Sequence, residues 1–191
     1  YTNKLNAAGV KPGDVRGLDD LRRIPFTFKD ELVRDQAENP EFGSNLTFPE
    51  ADYIRVHQTS GTTGRPLRWL DTAESWEWWG TCWGFVFAGA GLTARDRVFV
   101  AFSFAPFIGF WAAVEGVRKI GAMLIPGGGL STRQRVEAIL ESRATAVVCT
   151  PTYALRLAEE AREMGVDLAK SPIRVTLHAG EPGANIPSTK Q

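Results

Sequence analysis

The residue types best suited to chemistry lie side by side. The run Thr59-Ser60-Gly61-Thr62-Thr63-Gly64-Arg65-Pro66 brings together four hydroxyls, two glycines and one guanidinium. Such a run can grip a polyphosphate. Gly61 and Gly64 allow left-handed or close-approach backbone, so successive N–H groups can face one anion-binding hollow. Ser60, Thr62 and Thr63 add adjustable donors, and Arg65 adds a delocalised charge with several more. A polar hairpin turn is the plainer alternative, because Ser, Thr and Gly gather in loops. Four hydroxyls are nevertheless more than turning requires. A Walker A loop is excluded, since that motif needs a Lys followed by Ser or Thr and a helix directly after it.

Two strands must hold this loop. Residues 53–59 are rich in β-branched and aromatic types, and 67–70 form a second candidate just past the glycines. Ahead of them, residues 1–52 read as short helices and turns: Leu18, Leu21 and Ile24 recur at helical spacing, and Thr27 is placed to cap a helix over 28–36. Behind them, 53–191 alternates strand and helix. Asp71 or Thr72 opens a long helix to about Ala90, with Trp76, Trp79, Trp83 and Phe87 on roughly one face. Strands over 97–102, 122–125 and 146–149 are each followed by a helix, over 107–120, 132–142 and 152–164, and a last strand covers 174–178. Ser131 or Thr132 and the pair Thr150-Pro151 mark helix starts. This order predicts an α/β fold with a layered, largely parallel sheet and flanking helices.

Several function classes drop out on composition. Lys and Arg number 22 against 22 Asp and Glu, so the chain has none of the positive excess of a nucleic-acid coat. Cys82 and Cys149 lie far apart in apolar surroundings, which argues against a disulfide framework or a structural zinc site. The longest nearly uncharged apolar stretch, residues 78–92, falls short of the roughly 20 residues a membrane span needs and is broken by glycines. No membrane or nucleic-acid partner is therefore expected, and cytoplasmic residence is the default. The start Tyr1-Thr2-Asn3-Lys4 has no Met and no signal-peptide core, and reads as an internal boundary of a longer polypeptide.

Other positions have a plain reading beside a functional one. Residues 102–111 pack aromatics around Pro106 and Gly109 at a strand-to-helix turn, either as core or as a pocket lining. His57 reads as a structural strand histidine more readily than as a base. Gly127-Gly128-Gly129 lacks dinucleotide spacing and reads as a flexible linker. Arg133, Arg135, Glu137 and Glu141 read as a solvated helix face, and the tryptophans at 76, 78, 79 and 83 read mostly as core, with a homodimer contact left open.

The run from Ser60 to Pro66 resembles the AMP-binding signature of the adenylate-forming superfamily. Val56-His57-Gln58-Thr59, Ala8-Gly9-Val10, Pro25-Phe26-Thr27-Phe28-Lys29-Asp30 and His178-Ala179-Gly180-Glu181-Pro182 are similar to the phenylacetate-CoA ligase branch. The resemblance implies part of the large N-terminal domain of an ATP-dependent, AMP-forming acid–CoA ligase active in aromatic acid metabolism. ATP, Mg²⁺ and coenzyme A would be its cofactor and co-substrates, and an aryl acid such as phenylacetate its substrate. It places the β- and γ-phosphates at Ser60, Gly61, Thr62, Thr63, Gly64 and Arg65, and the acyl group at Phe104, Ala105, Phe107 and Gly109. The adenine and acyl vicinity falls at His178, Ala179, Gly180, Glu181 and Pro182. Glu181 could bond the nucleotide amino group or a neighbouring backbone, or stand as a solvated loop carboxylate. Many members carry Lys where this chain has Leu67, so Arg65 is the available substitute for that charge. The metal-holding acid and the C-terminal lid of such enzymes are not matched here, so this portion by itself is expected to be inactive. An enzyme loading a carrier protein, and a non-catalytic nucleotide-binding remnant, remain alternatives.

Overall fold

The computed structural model describes residues 1–59 and 65–183 of the chain. The chain divides into two compact units, Tyr1–Leu70 and Asp71–Gln191.

The first unit is built from short helices and one strand pair. Helix α1 (Thr2–Ala7) and helix α2 (Lys29–Glu38) are joined by the Lys4–Glu31 ion pair at 2.7 Å. Thr27 does not cap α2. The carboxylate of Glu31 reaches back three residues and accepts from the Phe28 N–H at 2.7 Å, while the Thr27 hydroxyl accepts from Lys4 Nζ. A glutamate at the third helical position satisfies an orphan donor, and the helix therefore begins one residue later than the Thr27 pattern implies. Strands β1 (Tyr53–Gln58) and β2 (Arg68–Thr72) form a two-stranded sheet. The Gln36 side chain braces it, accepting from Arg68 N at 3.0 Å and donating to Arg68 O at 2.7 Å.

The second unit carries a four-stranded parallel sheet in the order β4-β3-β5-β6. Its strands are β3 (Arg97–Val100), β4 (Met123–Pro126), β5 (Ala146–Cys149) and β6 (Val175–His178). Its helices are α3 (Ala73–Gly89), α4 (Ile108–Lys119), α5 (Thr132–Glu141) and α6 (Pro151–Glu163). Because strand side chains alternate, β3 and β5 each feed two cores. Val98, Val100, Ala146 and Val148 pack with Phe87, Ala113 and Val117 on the α3/α4 side. Phe99, Val147 and Cys149 pack with Val136, Ile139, Leu157 and Ala161 on the α5/α6 side. The result is three layers.

Helix α3 starts at Thr72, whose side chain accepts from Ser75 N. Trp76 and Phe87 are buried on its packed stripe, but Trp79 is 41% exposed. At about 100° per residue, position 79 lies roughly 60° off the line through 76, 83 and 87, outside the stripe. Helices α3 and α4 approach closely at Gly116, where a β-carbon would overlap Trp83 and Phe87. No helix among the described residues is long and apolar enough to cross a membrane.

Candidate functional site

In a parallel sheet every strand delivers its C-terminal end to the same edge, and ligands gather there. Four segments emerge on that edge here: residues after Val100, after Pro126, after Cys149 and after His178. Between the first two lies an open cleft of about 540 Å³ lined by Ser103, Phe104, Ala105, Pro126, Gly128 and Gly129.

The aromatic wall of the cleft is a packed set rather than a loose turn. The Phe104 ring centroid lies 5.0 Å from Phe102 and 4.7 Å from Trp111, and Phe102 stacks on Phe110 at 4.0 Å. Trp111 Nε1 donates to the Ala105 carbonyl at 3.0 Å, tying the turn to α4. Phe104 and Ala105 thus line the cleft. Phe107 and Gly109 are not among the lining residues: Phe107 is the residue before α4, Gly109 lies in its first turn, and both are exposed.

The turn after β4, which the sequence reads as a linker near the site, is hydrogen-bonded on both sides of Gly127. Gly127 N donates to Val100 O at 2.9 Å, and Gly127 O accepts from Arg135 Nε at 2.8 Å. Arg135 is 8% exposed rather than part of a solvated face, and its guanidinium carbon sits 4.9 Å from the Tyr153 ring centroid. A buried arginine is uncommon unless paired or stacked. The sequence carried one signal for it, since Arg135 lies four residues before Ile139, on the same helical face as that buried side chain.

After β6, His178 Nδ1 lies 3.7 Å from Cys149 Sγ, and its Nε2 lies 2.9 Å from Thr176 Oγ1. Burial first, and the Glu181 charge second, push the Cys149 thiol up to about 11, so it is not poised as a nucleophile. Glu181 Oε2 accepts from Thr152 Oγ1 at 2.6 Å and from Thr152 N at 3.1 Å. These bonds hold its carboxyl below the usual range and spend it on the start of α6, where a negative charge is favoured by the helix dipole. Glu181 is exposed and bonded to Thr152, which is compatible with each of the readings the sequence leaves open for it. Gly180 turns this segment with φ +90, while Ala179 is half-buried and Pro182 is exposed.

Ser60, Gly61, Thr62, Thr63 and Gly64 lie outside the described residues. Their flanks are firmly joined: Thr59 N donates to Leu67 O at 2.9 Å, and Leu67 N donates back to Thr59 Oγ1 at 3.0 Å. Leu67 is buried, and Arg65 is exposed beside a hollow of about 330 Å³ shared with Gln36, Gln58, Pro66 and Arg68. His57 is buried on β1 two residues before Thr59. Among the described residues no group of three or more His, Cys, Asp or Glu side chains is placed to hold a metal ion.

No protein-family profile matches the chain. It is 33% identical over 183 residues to the phenylacetate-coenzyme A ligase of Escherichia coli strain K12, covering 95% of this chain and 41% of that protein. It is 32% identical over 182 residues to the enzyme of that name from Thermus thermophilus, covering 95% of this chain and 40% of that protein. In fold it is similar to 2-hydroxyisobutyryl-CoA ligase solved with 2-HIB-AMP and CoA, at TM-score 0.93 and 31% identity over 100% of this chain and 41% of that one. The same ligase in an open conformation gives a TM-score of 0.92 over 100% of this chain and 41% of that one, at 29% identity.

Over nearly its whole length the chain is similar in sequence and fold to acid–CoA ligases of the adenylate-forming kind, matching part of their N-terminal domain. It spans about two-fifths of the length of the relatives it matches. The curated proteins it resembles in sequence are phenylacetate-coenzyme A ligases.

Proposed function

We propose that the protein to which this chain corresponds activates an aryl acid such as phenylacetate with ATP and passes the acyl group to coenzyme A. In the first step a carboxylate oxygen attacks the α-phosphorus, and pyrophosphate leaves. In the second the CoA sulfur attacks the acyl carbonyl, AMP leaves, and the thiol proton goes to solvent. Charge moves mainly between substrate groups, so the protein's work is positioning and fixed donors rather than a nucleophile. What carries the reading is the aromatic cleft at the strand C-termini of a chain related to ligases of acids with CoA.

The residues divide by role. Ser60, Thr62 and Thr63 donate hydroxyls to the β- and γ-phosphates, Gly61 and Gly64 donate N–H groups, and Arg65 supplies a charge that the apolar Leu67 cannot. Phe104 and Ala105 receive the acyl group, and a flat ring gains by stacking on Phe104. Residues 178–182 form the neighbouring rim. Mg²⁺ would neutralise phosphate charge when bound. The described side chains do not form a cage for it. Since the chain spans about two-fifths of the length of its relatives, the activity is expected of the full-length protein and not of this portion by itself.

The full-length protein is expected to exchange labelled pyrophosphate into ATP when given phenylacetate, with acyl-CoA detected by mass on adding CoA. Silence across phenylacetate, benzoate and fatty acids refutes the reading. Replacing Thr62 and Thr63 together with Ala lowers the exchange at least about tenfold, or about 1.4 kcal/mol of transition-state stabilisation. An unchanged rate places the phosphates elsewhere.

A further inference from the structure

Two of the three glycines after β4, Gly127 behind the cleft and Gly128 on it, have no room for side chains. A β-carbon on Gly127 would lie 2.7 Å from the Phe99 ring and 2.8 Å from the Val100 carbonyl oxygen, and one on Gly128 would overlap the Phe104 ring. Beside Pro126 the cleft is thus lined by the backbone of Gly128 and Gly129, and the ring of Phe104 rests against Gly128. Three glycines in succession are also the segment with the most conformational freedom to lose, so such a wall stays in place only if other groups hold it.

The holding group is Arg135. Ser131 caps α5, its side chain accepting from Gln134 N at 3.3 Å, and this places Arg135 in the first turn, above the glycines. From there Nε donates to Gly127 O at 2.8 Å while the guanidinium stacks on Tyr153 of α6 at 4.9 Å. Tyr153 is itself held, its hydroxyl donating to Thr132 Oγ1 at 3.3 Å. The contact joins α5, α6 and the wall through one charge that is almost wholly out of water. Burying a guanidinium is costly, and packing the core does not require it.

We infer that Arg135 is a positioning residue for the acid subsite. By clamping Gly127 and stacking on Tyr153 it keeps the glycine wall withdrawn, so that Phe104 stays back and the cleft keeps its depth. The inference rests on the proposed function for its consequence but not for its mechanism. Lysine cannot reproduce it in full, because a point ammonium lacks the planar fork that bonds a carbonyl and covers a ring together.

The test uses the full-length protein with Arg135→Met, which keeps the apolar stem and removes the donor and charge, and Arg135→Lys, which keeps the charge. Hydrogen–deuterium exchange of residues 127–131 is expected to quicken about tenfold in Arg135→Met and less in Arg135→Lys, with β3 unchanged. In pyrophosphate exchange the KM for the acid should rise about tenfold in Arg135→Met, with partial recovery in Arg135→Lys, while the KM for ATP stays within about twofold. Unchanged exchange at 127–131 in both variants overturns the inference, as does a joint rise of both KM values. If the wild type shows no acid-dependent activity, the proposed function fails while the hydrogen-exchange result still decides whether Arg135 holds the wall.

Discussion

The two edges of the parallel sheet are made of opposite chemistry. At the amino edge Asp96, just ahead of β3, is buried and fully engaged: it accepts from Thr93 N at 2.7 Å, Thr145 Oγ1 at 2.7 Å, and Arg174 Nη2 and Nε at 2.7 and 3.2 Å. That one carboxylate ties together the segments entering β3, β5 and β6. Burial pushes its carboxyl up, but the bonds from Thr145, Thr93 and Arg174 outweigh this and hold it down at about 2. At the carboxyl edge the sheet ends instead in rings, glycines and an open cleft. The contrast teaches a division of labour. Polar groups are satisfied internally where the sheet must be rigid, and apolar surface is left wet where a ligand can displace the water.

Replacing Asp96 with Ala should have the largest effect on stability, about 3 kcal/mol in urea unfolding, because buried donors lose their acceptor. The figure sits at the low end for a buried pair, since the Arg174 side chain is 46% exposed and partly screened. Acid-dependent pyrophosphate exchange by the folded variant should stay within about twofold of wild type. A large loss of activity without loss of stability would break the division between the edges.

Acid tests the same edge. The folded-state value of Asp96 lies below its ordinary 3.8, so the unfolded chain takes up the proton first. The stabilisation is complete above about pH 4 and is lost as pH falls toward 2, a change of about 2 kcal/mol that Asp96→Asn should remove. An identical acid slope in both proteins would assign the sensitivity to other carboxylates.

The cleft should respond the other way. Phe104→Ala is expected to raise the KM for the acid about tenfold, or about 1.4 kcal/mol, with a smaller shift in urea midpoint than Asp96→Ala. The smallest effect belongs to Ser131→Ala, which should cost about 1 kcal/mol by removing the cap of α5. Were it to cost more than Asp96→Ala, the carboxyl edge would be the stiffer one.

Much of the second unit was legible because its signals are local. The β5 bounds 146–149 follow from a short apolar run, and α6 begins where Thr150-Pro151 says it should, with Thr150 Oγ1 accepting from Tyr153 N at 3.3 Å. Thr27 misled, because Glu31 closes the helix start on the Phe28 N–H while the Thr27 hydroxyl accepts from Lys4. Of the acyl candidates, the structure puts Phe104 and Ala105 on the cleft and leaves Phe107 and Gly109 at the start of α4. The turn begins after Val100, and where its residues point depends on the Trp111–Ala105 bond, which no local pattern announces.

Sequence alone determined the alternation of strand and helix and the starts of α3, α5 and α6, since periodicity and capping act within a few residues of each other. Only the tertiary structure decided that Arg135 is buried, that the glycines after β4 form a wall against Phe104, that Glu181 is spent on α6, and that Asp96 joins three strand entries. Each of these depends on which strands lie side by side. That order is set by burying two faces of one sheet at once, a condition on the whole chain rather than on any stretch of it.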